Sequence, residues 1–236
     1  MHRTHARLRA LAALVPPGIP TADIGTDHAL LPVLLLRENR VPRVIGVDRL
    51  VGPLARARAT VQAEGFAQDP RLELRQGDGL DPLLPGEVGT LVIAGMGGER
   101  ILSILDRGAE RLAGVQTLVL HPDSHLPQAR SGLASRGWVF QEEQLLIEHG
   151  RAFFLMRLVR GEAQALDPVE CLVGPLLLRR AEPTLGDWLE VQEARLSEIR
   201  RRGGVAEELE LVREAQRRFA LQVPRRMMSH PTGNLG

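Results

Sequence analysis

Short apolar runs that end in Gly or Asp, with helix-spaced segments between them, constrain this chain more than any other feature. TADI (21–24), VIGVD (44–48), LELRQGD (72–78), TLVIAGMGG (90–98) and TLVLHPD (117–123) read as strands. VIGVD does not alternate, as expected of a parallel strand buried on both faces. Helices are expected over 5–14, 28–39, 53–64, 98–106 and 126–137, the last closed by Gly137. Residues 138–160 read as two strands turning at His149-Gly150. Five alternations of strand and helix followed by a hairpin predict an α/β fold. Its sheet would be parallel and doubly wound, with right-handed crossovers. Such a sheet takes its ligand beyond the carboxyl ends of the strands, where the strand order reverses. All the polar punctuation falls there: Asp23-Gly25-Asp27, Asp48, Gly77-Asp78-Gly79, Gly95-Met96-Gly97-Gly98 and His121-Pro122-Asp123.

The pattern changes after Gly161, which sets an expected division into residues 1–163 and 164–236. EAQALDP reads as a linker, and Gly174-Pro175 as the start of a helix. Leu185, Trp188, Leu189, Leu196 and Ile199 form one apolar stripe; Val205, Leu209, Val212, Ala215 and Phe219 form a second, beyond Gly203-Gly204. Two such stripes predict an antiparallel helical hairpin. The tail from Pro224 has no periodicity and reads as loose.

The loop after the first strand, IGTDHALLP, raises the chemical question. Gly25 allows close backbone approach to a ligand. A dinucleotide fingerprint would place a second glycine at position 27, and Asp27 stands there. A carboxylate at that point repels a pyrophosphate and suits a cation. S-adenosyl-L-methionine, with a sulfonium, an ammonium and no phosphate, meets that requirement, and Asp23 would then lie near its amino-acid end. Helix capping is the structural alternative for Asp23 and Asp27, and a packed or surface histidine is the alternative for His28. Asp48, followed by Arg49, can accept both ribose hydroxyls or sit in a surface turn. Asp78, between Gly77 and Gly79, can accept from an adenine amino group or serve an Asp-Gly turn. Ala94, Gly95 and Met96 offer a floor for a flat group, or simply close helix–strand packing. His121 and Asp123 stand where a planar base could be held. A metal reading of His121, Asp123 and His125 lacks a further ligand.

Composition narrows the partners. The formal net charge is +1 and every basic side chain other than histidine is Arg, so a nucleic-acid site would have to be local. Arg3, Arg7 and Arg9 precede the first acidic residue, Asp23, and Arg195, Arg200 and Arg201 cluster on the expected hairpin. From residue 166 onward, however, eleven Arg face eleven acids, so a solvated charged helix is the competing reading. Aromatic residues are 3% of the chain and Tyr is absent, which argues against extensive base stacking on a sheet. A lone cysteine, Cys171, excludes an internal disulfide. MHRTHARLRALAALVP lacks a long apolar stretch with a small-residue cleavage site, and no run reaches the ~18 residues of a membrane span. A cytoplasmic, monomeric protein without membrane or metal partners is expected.

ADIGTDHALLP, GDGL, IAGMGGERI, LHPD and LVGPLL together resemble the bacterial TrmK family, tRNA methyltransferases acting on N1 of adenine 22 in the D-arm. The resemblance runs along essentially the whole chain. It implies a class I, Rossmann-like methyltransferase sheet, S-adenosyl-L-methionine as methyl donor, and a helical C-terminal domain that assists tRNA binding. Carried over by position, Gly25, Asp27 and His28 would line the cofactor loop, Asp48 would hold the ribose, Asp78 the adenine side, and Gly95 and Met96 the floor. Two departures stand out. The family usually has Glu at the place of Asp48, and Gln-Pro-Asn where this chain has His121-Pro122-Asp123. An ionised Asp123 accepts but cannot donate as an amide would, and His121 could supply the lost donor. The reaction implied is in-line methyl transfer to adenine N1. Asp27, Asp123 and His121 are the candidate catalytic residues, able to stabilise the cationic product base or take its proton.

Overall fold

A computed structural model describes residues 6–223. The chain divides into two compact units, Met1–Ala165 and Leu166–Gly236.

The first unit opens with α1 (Ala6–Leu14) and then runs β1 (Thr21–Ile24), α2 (Leu30–Arg37), β2 (Val44–Asp48), α3 (Val51–Ala63), β3 (Leu72–Gln76), β4 (Thr90–Met96), α4 (Gly98–Arg107), β5 (Thr117–Pro122), α5 (Leu126–Ser135), β6 (Trp138–Glu148) and β7 (Arg151–Arg160). The strands form one sheet in the order β3-β2-β1-β4-β5-β7-β6. β1 to β5 are parallel, and β7 inserts antiparallel between β5 and β6. The order reverses between β1 and β4, which pair from Thr21↔Thr90 to Ile24↔Ile93.

β2, which read as an unalternated apolar run, is buried at every residue, as are β1 and β5, because helices cover both faces. On one face Leu11 and Leu14 of α1 and Leu31, Leu34 and Leu35 of α2 pack on Val44, Val92 and Val119. On the other, Ile101, Ile104 and Leu105 of α4 and Leu133 of α5 pack on Ile24, Ile45, Ile93 and Leu120.

The alternation breaks once. Residues 77–89 connect β3 to β4 with turns and no helix. Pro82, Pro85 and four glycines in that stretch break any helical ladder. Leu80, Leu83 and Val88 are buried in the same cluster as α4, so the loop fills the place a helix would take.

The second unit contains α6 (Pro168–Val173), α7 (Pro175–Arg179), α8 (Pro183–Arg201) and α9 (Leu209–Gln222). Helices α6, α7 and α8 all pack on α9, so the expected hairpin is part of a four-helix unit. The expected linker ends in a helix start instead. Asp167 caps α6 by accepting from the amides of Val169 and Glu170, and Glu170 returns a bond to the Asp167 amide. That is a capping box with Pro at the first helical position. Val205 lies outside α9 and is exposed, because the chain does not regain helical form until Leu209. At Gly186 an added Cβ would lie 2.9 Å from the Phe219 ring, so glycine there lets α8 and α9 approach. The tail from Pro224 and Arg3 lie outside the described residues.

Candidate active site

The carboxyl ends of β1 to β4 enclose a cleft of ≈ 180 Å³, lined among others by Gly25, Asp48, Arg49, Asp78, Met96 and Arg100. A second recess of ≈ 190 Å³ lies across Gly25, lined by Asp23, Thr26, Asp27, His28 and Ala94, with Leu8 and Leu11 of α1 as its wall. Gly25 belongs to both.

The loop between β1 and α2 is bent tightly. Gly25 has φ +79°, and two non-glycine residues, Asp27 (φ 46°) and Ala29 (φ 52°), are also left-handed. Such residues are held only by surrounding interactions. Here the amides of Gly25 and Thr26 donate to the Val47 carbonyl at 2.8 and 2.9 Å, and the Asp27 amide donates to Asp48 Oδ2 at 3.2 Å. Three amides that a dinucleotide loop would aim at phosphate are therefore spent inside the protein. The α2 N-cap is Ala29, without a side-chain cap, so neither Asp23 nor Asp27 caps that helix.

The acids divide by environment. Asp23 is buried and accepts from Thr26 Oγ1 at 2.8 Å. Burial, with the Asp48 carboxylate adding to it, raises its pKa to about 6 against the Thr26 hydrogen bond. Asp48 uses one oxygen for Asp27 and the other for the Leu50 amide at 3.0 Å, which leaves each oxygen a second lone pair. Asp27 is open to solvent (54% exposed) and pairs with Arg56 at 2.8 Å, with His28 Nε2 3.5 Å away. Asp78 pairs with Arg107 at 3.2 Å, and that hydrogen bond holds its carboxyl below the usual range.

Gly95 (φ +72°) is the extra residue of a bulge between β4 and β5, where the register shifts between Ala94 and Met96. The bulge re-aims Met96 into the cleft rather than leaving a flat strand end. It also receives the next loop: the Asp123 amide donates to the Met96 carbonyl at 2.9 Å. His121, at the end of β5, is buried, and its Nδ1 is 3.1 Å from the Phe154 carbonyl. That carbonyl can only accept, so Nδ1 carries the proton. Desolvation by burial lowers the His121 pKa, which favours the neutral ring. Nε2 then carries a lone pair and lies 3.2 Å from Asp123 Oδ1 without a hydrogen bond to it. Asp123 is thus held beside Gly95 and Met96, of which Met96 lines the cleft, and His121 is buried next to it.

The expected basic residues are scattered. Arg7 and Arg9 are exposed on α1. Arg195 is exposed on α8, Arg200 pairs with Glu210 at 3.2 Å, and Arg201 pairs with Glu198. Sequence reasoning missed Thr26, Arg56 and Arg100. Arg100 sits in the first turn of α4 directly after the glycines, and that position was the readable signal. Among the described residues no group of three or more His, Cys, Asp or Glu could hold a metal ion, and no helix is long and apolar enough to cross a membrane.

These residues fit S-adenosyl-L-methionine. An added Cβ at Gly25 would lie 2.4 Å from Met96 Cε, so only glycine leaves room between the two recesses. Their walls present carboxylates, and the loop amides that would bind a phosphate are occupied.

Comparison with known proteins agrees. A family model described as a methyltransferase domain matches residues 4–156. The tRNA (adenine(22)-N(1))-methyltransferase of Bacillus subtilis is 33% identical over 178 residues, covering 73% of this chain and 74% of the relative. The crystal structure of Streptococcus pneumoniae Sp1610 with S-adenosyl-L-methionine superposes with a TM-score of 0.80 at 26% identity, over 92% of this chain and 98% of that one. The crystal structure of B. subtilis TrmK, an M1A22 tRNA methyltransferase, superposes with a TM-score of 0.76 at 27% identity, over 92% and 94%. With its Rossmann-like sheet, its acid-lined cleft and a homologue at this identity over most of its length, the chain belongs to the TrmK family of tRNA (adenine-N1)-methyltransferases.

Proposed function

We propose that this protein transfers a methyl group from S-adenosyl-L-methionine to N1 of adenine 22 in the D-arm of tRNA. The observation that carries the assignment is the β1–α2 loop, which spends its amides internally and presents carboxylates where a cationic cofactor would lie. When bound, the cofactor supplies an electrophilic methyl group on sulfur.

The remaining roles fall to side chains. Asp48, with Arg49 beside it, takes the ribose hydroxyls, and Gly77, Asp78 and Gly79 border the adenine. Asp23 serves the ammonium end, next to His28. Ala94, Gly95 and Met96 form the floor on which the cofactor settles. The N1 lone pair of that base is the nucleophile, so no covalent enzyme intermediate forms, and positioning with water exclusion supplies most of the rate. The product base is cationic. Asp123, held beside Met96 by its backbone amide, would stabilise that charge, with His121 behind it. Asp27 is the second carboxylate offered for this role, and its contact with Arg56 tempers it.

Residues 1–163 would carry the chemistry, and 164–236 would assist RNA binding through Arg195, Arg200 and Arg201, with Arg3, Arg7 and Arg9 contributing from the N-terminus. We propose that the protein acts as a monomer, and a tRNA substrate supports a cytoplasmic site of action. The decisive experiment is methylation of an unmodified tRNA transcript followed by mapping of the modified base, alongside calorimetric titration with the cofactor. Methylation at N1 of adenine 22 is expected. Cofactor binding without transfer to any tRNA would point to another acceptor and overturn the proposal.

A further inference from the structure

Two guanidinium groups converge on one aromatic ring beside His121. Arg7 of α1 places its Cζ 4.7 Å from the centroid of the Phe153 ring, and Arg151, at the start of β7, places its Cζ 5.6 Å from the same centroid. Phe153 is buried, while both arginines are exposed. Its ring lies 5.5 Å from the His121 ring, so the pair of cations borders the His121–Asp123 end of the site.

Neither guanidinium is within ion-pair distance of a described carboxylate, although Glu148 stands opposite Arg151 in the β6–β7 register. Arg43, Arg56, Arg75 and Arg107 of the same unit each bind a carboxylate, whereas no described acid pairs with the guanidinium of Arg7 or Arg151. Glu148 is at hand, and its carboxylate accepts the Arg7 backbone amide at 2.9 Å. That bond ties the first turn of α1 to the hairpin. It fixes where Arg7 stands and leaves its guanidinium open.

Two like charges on one ring repel, and an anion that reaches both guanidinium groups relieves the repulsion. Stacking on the ring restricts each guanidinium while its N–H edges stay open to an oxyanion. Arginine forks match phosphate oxygens in pairs, and such charge-assisted bonds are short and strong. Beside His121, at the end proposed to face the target adenine, the anion that an RNA substrate offers is a phosphate on its ribose backbone.

We propose that Arg7 and Arg151 form a fork over Phe153 that grips a backbone phosphate of the RNA next to the target adenosine. The fork rests on the assignment of tRNA as substrate. It positions the substrate and takes no part in bond making. Arg7 is on the N-terminal helix that walls the second recess, so gripping the RNA would also hold that wall closed over the cofactor.

The test compares wild type with Arg7→Gln, Arg151→Gln and the double variant. Steady-state methylation of a tRNA transcript is measured over a range of salt concentrations, and cofactor binding is followed by calorimetry. The double variant is expected to raise the KM for tRNA at least tenfold and to leave the cofactor Kd within twofold. The slope of log(kcat/KM) against log[salt] should become shallower by about 0.7 for each lost phosphate contact. Arg151→Lys, which keeps the charge but not the planar fork, should fall between wild type and Arg151→Gln, and it serves if the double variant fails to fold. An active wild type whose double variant shows the same KM and salt slope overturns the fork and leaves the substrate assignment standing. A wild type that binds the cofactor but methylates no tRNA overturns both.

Discussion

Gly25 and Met96 meet so closely that a Cβ on residue 25 would lie 2.4 Å from Met96 Cε. One residue follows the first strand and the other follows a bulge in the fourth; Gly25 lines both recesses and Met96 lines the first. Gly25→Ala adds two costs. The side chain of Met96 must swing away into space the cofactor needs, and the left-handed backbone at φ +79° costs a further ~1–2 kcal/mol for any L-residue. Calorimetry should show cofactor affinity reduced more than tenfold, with a measurable fall in melting temperature. Met96→Ala in the same background should return the stability lost to the clash and none of that lost to the dihedral.

Asp23 should make stability depend on pH. Its carboxyl titrates near 3.8 when exposed and at about 6 when folded. Between those values the folded chain keeps a proton that the unfolded chain has released, so stability falls as pH rises through that window and stays lower above it. Asp23→Asn retains an acceptor for Thr26 and removes the buried charge. Denaturant titration should find the variant more stable than wild type at pH 8, by on the order of 1–3 kcal/mol, and close to it at pH 4. The same variant should bind the cofactor more weakly. An equal stability difference at both pH values would mean that Asp23 does not carry the effect.

Asp48 ties the loop as well as lining the cleft. Truncation to Ala removes the acceptor for the Asp27 and Leu50 amides. Hydrogen exchange at residues 25–29 should then accelerate, together with a loss of cofactor affinity of at least tenfold. Slow exchange in Asp48→Ala would show that the loop stands without this tether.

Asp27 needs a substitution that respects its backbone. At φ 46°, alanine would add strain to the loss of charge, whereas asparagine tolerates the left-handed region. Asp27→Asn should lower kcat more than tenfold with an unchanged melting temperature, and Asp27→Ala should lose activity at least as far. Activity retained in Asp27→Asn would leave the residue as the partner of Arg56 and no more.

Asp123→Asn separates structure from catalysis at the end of β5. His121 Nε2 carries a buried lone pair and lies 3.2 Å from Asp123 Oδ1 without a proton to share. An amide can donate there, so the variant should melt at a higher temperature than wild type. It should also turn over at least tenfold more slowly, because the carboxylate that answers the cationic base is gone. A variant that is both more stable and fully active would remove the Asp123 charge from the reaction.

Periodicity settled much of the fold before any coordinate. Leu30, Leu31, Leu34 and Leu35 read as one side of a helix, of which Leu31, Leu34 and Leu35 are buried, and VIGVD read as a strand covered on both sides. Where several signals share a segment, periodicity fails. Residues 77–89 lie between strands, yet the prolines and glycines there prevent a helix, and Leu80 and Leu83 fill its place. Asp167-Pro168-Val169-Glu170 held a complete helix-start signal within a stretch that read as linker. At the site, residue types at strand ends were legible, but their partners were not. Arg56 is twenty-nine positions from Asp27, and nothing local to either residue announces the other.

The sequence by itself determined the alternation of elements, the placement of polar residues at the carboxyl ends of strands, and the substitution of Asp27 for a phosphate-loop glycine. Each is a property of neighbouring residues and of spacing along one chain. Only the tertiary structure decided which groups are already occupied. It spends the amides of Gly25, Thr26 and Asp27 on the second strand, buries Asp23 while leaving Asp27 in solvent, and brings Arg7 and Arg151 onto one ring. Hydrogen bonding, desolvation and charge pairing act through space between strands far apart in sequence, and a linear pattern carries no record of those distances.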